Sequence, residues 1–113
     1  MLVVCTLFSI EEYIMSAMRT GTLMATHTED SSKVKEYIKQ IQDGGSYSTC
    51  FDPISIRKVD GVWVVIDELH RAIAACVCGV SATYDEVDEN FLLRDSDINV
   101  RNLYNVAKIG SKY

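Results

Sequence analysis

The stretch "ISIRKVDGVWVVI", residues 54 to 66, restricts the fold more than any other part of the chain. Two runs rich in β-branched residues flank Asp60-Gly61, a dipeptide that tolerates the positive φ angles of a two-residue antiparallel hairpin. Trp63 alternates with Val62 and Val64, which makes it a packing residue of one sheet face rather than a platform for stacking bases. Pro53, with its fixed φ and missing N–H, suits the start of a strand at a sheet edge. A sheet therefore stands in mid-chain, and the segments on either side must pack against it.

Helical patterns supply that packing. In "SIEEYIMSAM", Ser9 and Glu12 have capping-box spacing, Phe8 and Tyr13 are placed for a hydrophobic staple, and Ile10, Tyr13, Ile14 and Ala17 share one face. This helix is predicted to end at Gly21. In "KVKEYIKQIQDGG", Val34, Tyr37, Ile38 and Ile41 form an apolar stripe, "EDSS" offers caps ahead of it, and Gly44 offers a left-handed stop. After the hairpin comes "ELHRAIAACVC", with Asp67 as its cap and Gly79 past its end. A last helix is expected from Asp97, with Val100, Leu103, Tyr104 and Ala107 on one face and Gly110 as its stop.

"LVVCTLF" reads as a strand, "TLMATH" as a short strand and "VSATY" as extended, while "DEVDENFLLRDSD" is an acidic connector with an apolar insert. The order strand, helix, short strand, helix, hairpin, helix, strand, helix predicts an α+β (mixed α/β) fold, a small mixed sheet flanked by about four helices. With 113 residues and no repeat or linker, residues 1–113 suit a single domain.

Charge narrows the function. A formal net charge of −5 opposes extended nucleic-acid binding, which needs a basic stripe. Lys33, Lys35 and Lys39 cluster locally, and a solvated helix face is the simpler account of them. No run approaches the roughly 20 apolar residues of a membrane span, and "MLVVCTLF" lacks the basic start of a signal peptide. Cys5, Cys50, Cys76 and Cys78 match neither a zinc pattern nor a CxxC motif. Cys76 and Cys78, two apart on a helix, point about 200° apart and cannot share a metal. A reducing, cytoplasmic setting is expected.

Over residues 24 to 84 the chain resembles the ParB/sulfiredoxin superfamily. The resemblance rests on four elements in order: "KVKEYIKQIQDGG", the "PISI" strand, the "VDGVWVVID" hairpin and "HRAIAACVCGV". Family members commonly carry Asp-Gly-x-His-Arg where this chain has Asp67, Glu68, Leu69, His70 and Arg71. The resemblance implies that this strand-to-helix turn faces a phosphate-bearing ligand: a cytidine nucleotide in chromosome-partition proteins, ATP in sulfiredoxins and free-serine kinases. It places ligand binding on Asp67, His70 and Arg71, with a nucleotide such as CTP or ATP and Mg2+ as the expected cofactors. Free N–H groups at a helix start, a forked guanidinium and an imidazole give that expectation its chemistry; the plainer account of His70 and Arg71 is a capped helix whose polar side chains bond nearby loops or Asp67.

The chain departs from the family pattern in three ways. Glu68 replaces the glycine, bringing a Cβ and a carboxylate to the place where an anion should sit. Leu69 stands where sulfiredoxins have their cysteine. The helix-turn-helix and dimerisation domains of partition proteins find no place in 113 residues, so plasmid partitioning by that mechanism is not expected. Glu68 and His70 are the candidates for acid–base work, and Glu68 for a metal ligand; a charge-favoured first-turn residue is the plainer account of Glu68.

His27 and Cys50 are weaker candidates near the same site, with a surface histidine and a structural cysteine as their simpler accounts. Two functions remain open. One is a phosphate- or nucleotide-binding domain with phosphoryl-transfer or phosphodiesterase activity. The other is a catalytically degenerate acidic protein that binds a protein partner, as an accessory or inhibitory factor of a phage or plasmid would.

Overall fold

Asp60 and Gly61 have φ values of 49° and 81°, the paired positive angles that let a two-residue turn follow the twist of its strands. They join β2 (Ile54–Val59) to β3 (Val62–Val65), antiparallel, with Val59 opposite Val62 and Ile56 opposite Val65. The computed structural model describes residues 10–47, 50–87 and 103–113. The expected first strand, Cys5, the Ser9 cap and Phe8 lie outside the described residues, as do 88–102 of the acidic connector and last helix.

Around the hairpin the described elements run α1 (Ile10–Thr20), β1 (Met24–Ala25), α2 (Ser31–Gly44), β2, β3, α3 (Leu69–Cys78), β4 (Tyr84–Glu86), β5 (Tyr104–Asn105) and α4 (Val106–Gly110). The sheet order is β4-β2-β3-β1-β5. β1 runs parallel to β3 and β4 parallel to β2, whereas β5 is antiparallel to β1. Among the described residues, four helices and a five-stranded mixed sheet make the α+β fold that the periodicity predicts.

Pro53 does not mark a sheet edge. β2 is an interior strand, with β4 taking the edge. Pro53 is tolerated because it precedes the first ladder residue; Ile54 N–H donates to the Thr83 carbonyl at 2.9 Å.

The core explains the other shifts. Strand alternation sends Ile54, Ile56, Trp63 and Val65 into the main core, and Val64 and Ile66 to the opposite face with Met24, Val59, Val87 and Leu103. On α1, Ile14, Ala17, Met15 and Met18 are buried, but Tyr13 is 52% exposed and meets Trp63 edge-on at 6.2 Å. The apolar stripe is thus rotated from the expected one, with methionines filling the core while the tyrosine hydroxyl stays near water. On α2, Val34 and Ile41 are buried with Tyr37 and Ile38 packed beside them, as expected.

Three helix ends also differ. The left-handed stop of α2 is Gly45 (φ 81°), not Gly44, because its N–H closes a bond to the Ile41 carbonyl at 2.8 Å. Gly79 does end α3, and Val80 N–H folds back to the Ala75 carbonyl at 3.2 Å, so the expected extended run over 80–84 pairs only from Tyr84. Tyr104 is in β5, and α4 starts after Asn105, whose side chain accepts the Lys108 N–H at 2.8 Å. Gly110 is the last residue of α4 rather than its stop; a Cβ there would lie 3.2 Å from Cys76 Sγ. Among the described residues no helix is long and apolar enough to cross a membrane.

Candidate functional site

The turn from β3 into α3 is built by local hydrogen bonds. The N–H groups of Ile66 and Asp67 donate to the Ser55 carbonyl at 2.9 and 3.3 Å, which keeps the chain on the sheet one residue past the strand. Asp67 Oδ1 then accepts the Glu68 N–H at 2.9 Å. Asp67 is therefore a turn-holder and not the helix cap expected of it. The residue before α3 is Glu68, in left-handed conformation (φ 70°, ψ 36°), and its side chain makes no cap bond. Such a backbone costs a residue with a Cβ about 1–2 kcal/mol. Leu69, 1% exposed, anchors the first turn in the core, so its neighbours project to the side.

His70 reaches the start of another helix. Its Nε2 accepts the Asp30 backbone N–H at 2.8 Å, while Asp30 Oδ1 caps α2 by accepting the Ser32 N–H at 2.9 Å. This assigns the imidazole proton to Nδ1. Burial, reinforced by Lys33 and His27, pushes the His70 pKa below its usual value against the pull of Asp30 and Glu29. The neutral ring can donate from Nδ1, but the lone pair a general base needs at Nε2 is engaged. The C-terminal residues hold the same helix start: Lys112 Nζ is 3.1 Å from Glu29 Oε1, and the Tyr113 and Ser31 hydroxyls hydrogen-bond at 2.7 Å.

Arg71 lies in an aromatic cage. Its guanidinium carbon is 5.3 Å from the Phe51 ring centre and 5.9 Å from that of Tyr37, and Nη2 is 2.7 Å from Glu68 Oε2. Burial works against the arginine charge, but Glu68 with Tyr47 and Tyr37 outweighs it and raises the pKa. Glu68 is raised by burial first, with Arg71 opposing and Asp67 and Asp52 adding. Buried Tyr47, whose hydroxyl donates to the Asp52 carbonyl at 2.9 Å, is pushed up to about 12 by burial. Arg71 Nε is buried and has no hydrogen-bond partner.

These groups surround a hollow of about 260 Å³, lined by residues 67–71 with His27, Lys33 and Tyr37. Every candidate at the turn is there: Asp67, Glu68, His70 and Arg71. His27 also lines it, its ring 6.1 Å from that of His70. Lys33, Lys35 and Lys39 are all exposed, as a solvated face implies, but Lys33 also lines the hollow and the other two do not. The available signal for Lys33 was its place in the first turn after the Asp30 cap, one turn ahead of Tyr37.

Phe51 of the cage and Tyr47, whose ring packs on it at 5.3 Å, had no sequence signal, since both lie some 20 residues before Arg71. Cys50 does not line the hollow; its Sγ donates to the Gln40 carbonyl at 3.5 Å. Cys76 and Cys78 are free, with their thiol pKa values raised by burial.

Among the described residues no group of three or more His, Cys, Asp or Glu is placed to hold a metal ion. The carboxylate of Glu68, the expected metal ligand, is paired with Arg71. The hollow instead brings together the Lys33 and Arg71 cations, the Asp67 and Glu68 carboxylates and the imidazoles of His27 and His70 where two helices begin. Comparison with protein-family models, curated proteins and solved structures finds no match.

Proposed function

We propose that the hollow binds a phosphate-containing ligand or nucleotide. The observation that carries this reading is the convergence of Lys33, His70 and Arg71 on one hollow at the starts of α2 and α3. Its volume, about 260 Å³, falls just under the roughly 300 Å³ at which sites for whole small molecules begin. It therefore suits the phosphate end of CTP or ATP, with the nucleoside outside. The ParB/sulfiredoxin resemblance supports the same reading, because left-handed Glu68 stands where that family's motif carries glycine, the residue best suited to such a backbone.

If Mg2+ accompanies the ligand, Asp67 and Glu68 are the carboxylates that would hold it, and the ion would supply charge neutralisation of the phosphates. Arg71 and Lys33 would orient the phosphate, and His70 would donate from Nδ1. Phosphoryl transfer or phosphodiester cleavage further requires a base, for which Glu68 must first leave Arg71. That pair favours the second reading, a pocket without catalysis on an acidic protein that binds a protein partner.

A thermal-shift screen with CTP, ATP and GTP, with and without Mg2+, decides between them. A ligand at a hundred times its Kd stabilises by about 2.7 kcal/mol. A shift that vanishes in Arg71→Ala supports nucleotide binding; no shift with any nucleotide removes it.

A further inference from the structure

We propose that Glu68 is a built-in competitor for the ligand's anion: its carboxylate holds Arg71 Nη2 until an incoming phosphate displaces it. The inference rests on the phosphate-site reading and adds a regulatory contact to it. Glu68 Oε2 sits 2.7 Å from Arg71 Nη2, the distance of a charge-assisted hydrogen bond to a phosphate oxygen. The Arg71 guanidinium, flanked by Phe51 and Tyr37, is held in place, so the exchange must occur by movement of Glu68.

Left-handed Glu68 makes no side-chain cap hydrogen bond, and its carboxylate pairs with Arg71 instead. Both side chains are about one quarter exposed or less (22% and 25%), so the pair is sheltered and yet open to exchange. A tethered carboxylate three residues away acts as an intramolecular ligand at high effective concentration. Apparent affinity then falls by the fraction of molecules whose fork is free.

Other titratable groups lie around the pair. Asp67 comes from the turn, Asp52 from the segment before β2 and the neutral Tyr47 hydroxyl from beyond α2, while Lys33 of α2 lines the same hollow. A displaced Glu68 would stay among Asp67 and Asp52, so ligand entry would be accompanied by uptake of a proton or a cation.

Calorimetric titration with pyrophosphate tests this on the full chain. Glu68→Gln keeps the size and the backbone but removes the competing charge, and should tighten binding about tenfold. Asp52→Asn removes a nearby unit charge without touching the Arg71 pair, and should change affinity less than about threefold. Equal effects of the two substitutions would reduce Glu68 to background electrostatics and overturn the proposal, as would unchanged affinity in Glu68→Gln. Glu68→Ala should tighten binding in the same direction, so a folding defect peculiar to the glutamine variant does not hide the result. If neither the unaltered chain nor any Glu68 variant binds pyrophosphate at millimolar concentration, both this inference and the phosphate-site reading fall; equal binding by all of them discards the competitor alone.

Discussion

His70 Nε2 accepts the backbone N–H of Asp30 at 2.8 Å, a bond across 40 residues of chain that ties the start of α3 to the start of α2. The acceptor is a neutral imidazole and the donor belongs to the residue that caps α2, so one proton on Nε2 would break the bond that positions both helix openings.

That arrangement makes stability depend on pH. The folded state holds the His70 pKa below the ordinary 6.5, so between these two values the unfolded chain binds more protons than the folded one. The contribution is fully present above pH 6.5 and declines as pH falls through the folded pKa. Urea unfolding of the unaltered chain and of His70→Asn between pH 5 and 8 should show the difference between them shrinking toward acid. A constant difference across that range would refute the role given to the imidazole.

Backbone strain at Glu68 leads to a second expectation. Glu68→Ala and Glu68→Gly both remove the ion pair with Arg71, but only glycine is at ease at φ 70°. The glycine variant should be more stable than the alanine variant by about 1 kcal/mol. Chemical denaturation of both variants reads this directly, and equal stabilities would argue against a left-handed residue at this turn.

Two other left-handed positions separate strain from crowding. Gly21 has φ 80°, and a Cβ there would approach the Asn105 side-chain amide to 2.8 Å, the group that donates to the Gly21 carbonyl. Gly45 has φ 81° with no other atom within 4 Å of such a Cβ. Gly45→Ala should therefore cost about 1–2 kcal/mol, the backbone term alone, and Gly21→Ala clearly more. Thermal unfolding of the two variants ranks them; similar losses would mean that the Gly21–Asn105 contact does not constrain the fold.

Much of the candidate site was legible because its parts are adjacent in sequence. Asp67, Glu68, His70 and Arg71 fall within five residues, and a strand running into a helix turns them toward one opening whatever lies beyond. Their roles were less legible. Asp67 was expected to cap the helix, yet it bonds the Glu68 N–H because the turn holds Glu68 in a left-handed conformation. Glu68 puts a carboxylate where an anion would sit, as its sequence position implies, but its pairing with Arg71 carried no sequence signal.

Short-range chemistry settled what the residues themselves encode: the Asp60-Gly61 turn, the apolar face of α2, the Gly79 stop of α3 and the α+β order of elements all follow from hydrogen bonding and side-chain period within a few positions. The tertiary structure alone decided that Lys33 and His27 join the turn at residues 67–71, that Tyr37 and Phe51 flank Arg71, and that Tyr13 yields its core place to Met15 and Met18. These choices depend on which surfaces meet when α2 packs on α3 and α1 packs on the sheet. Burial, ring contact and charge pairing act through space between residues far apart in the chain, so no local pattern carries them.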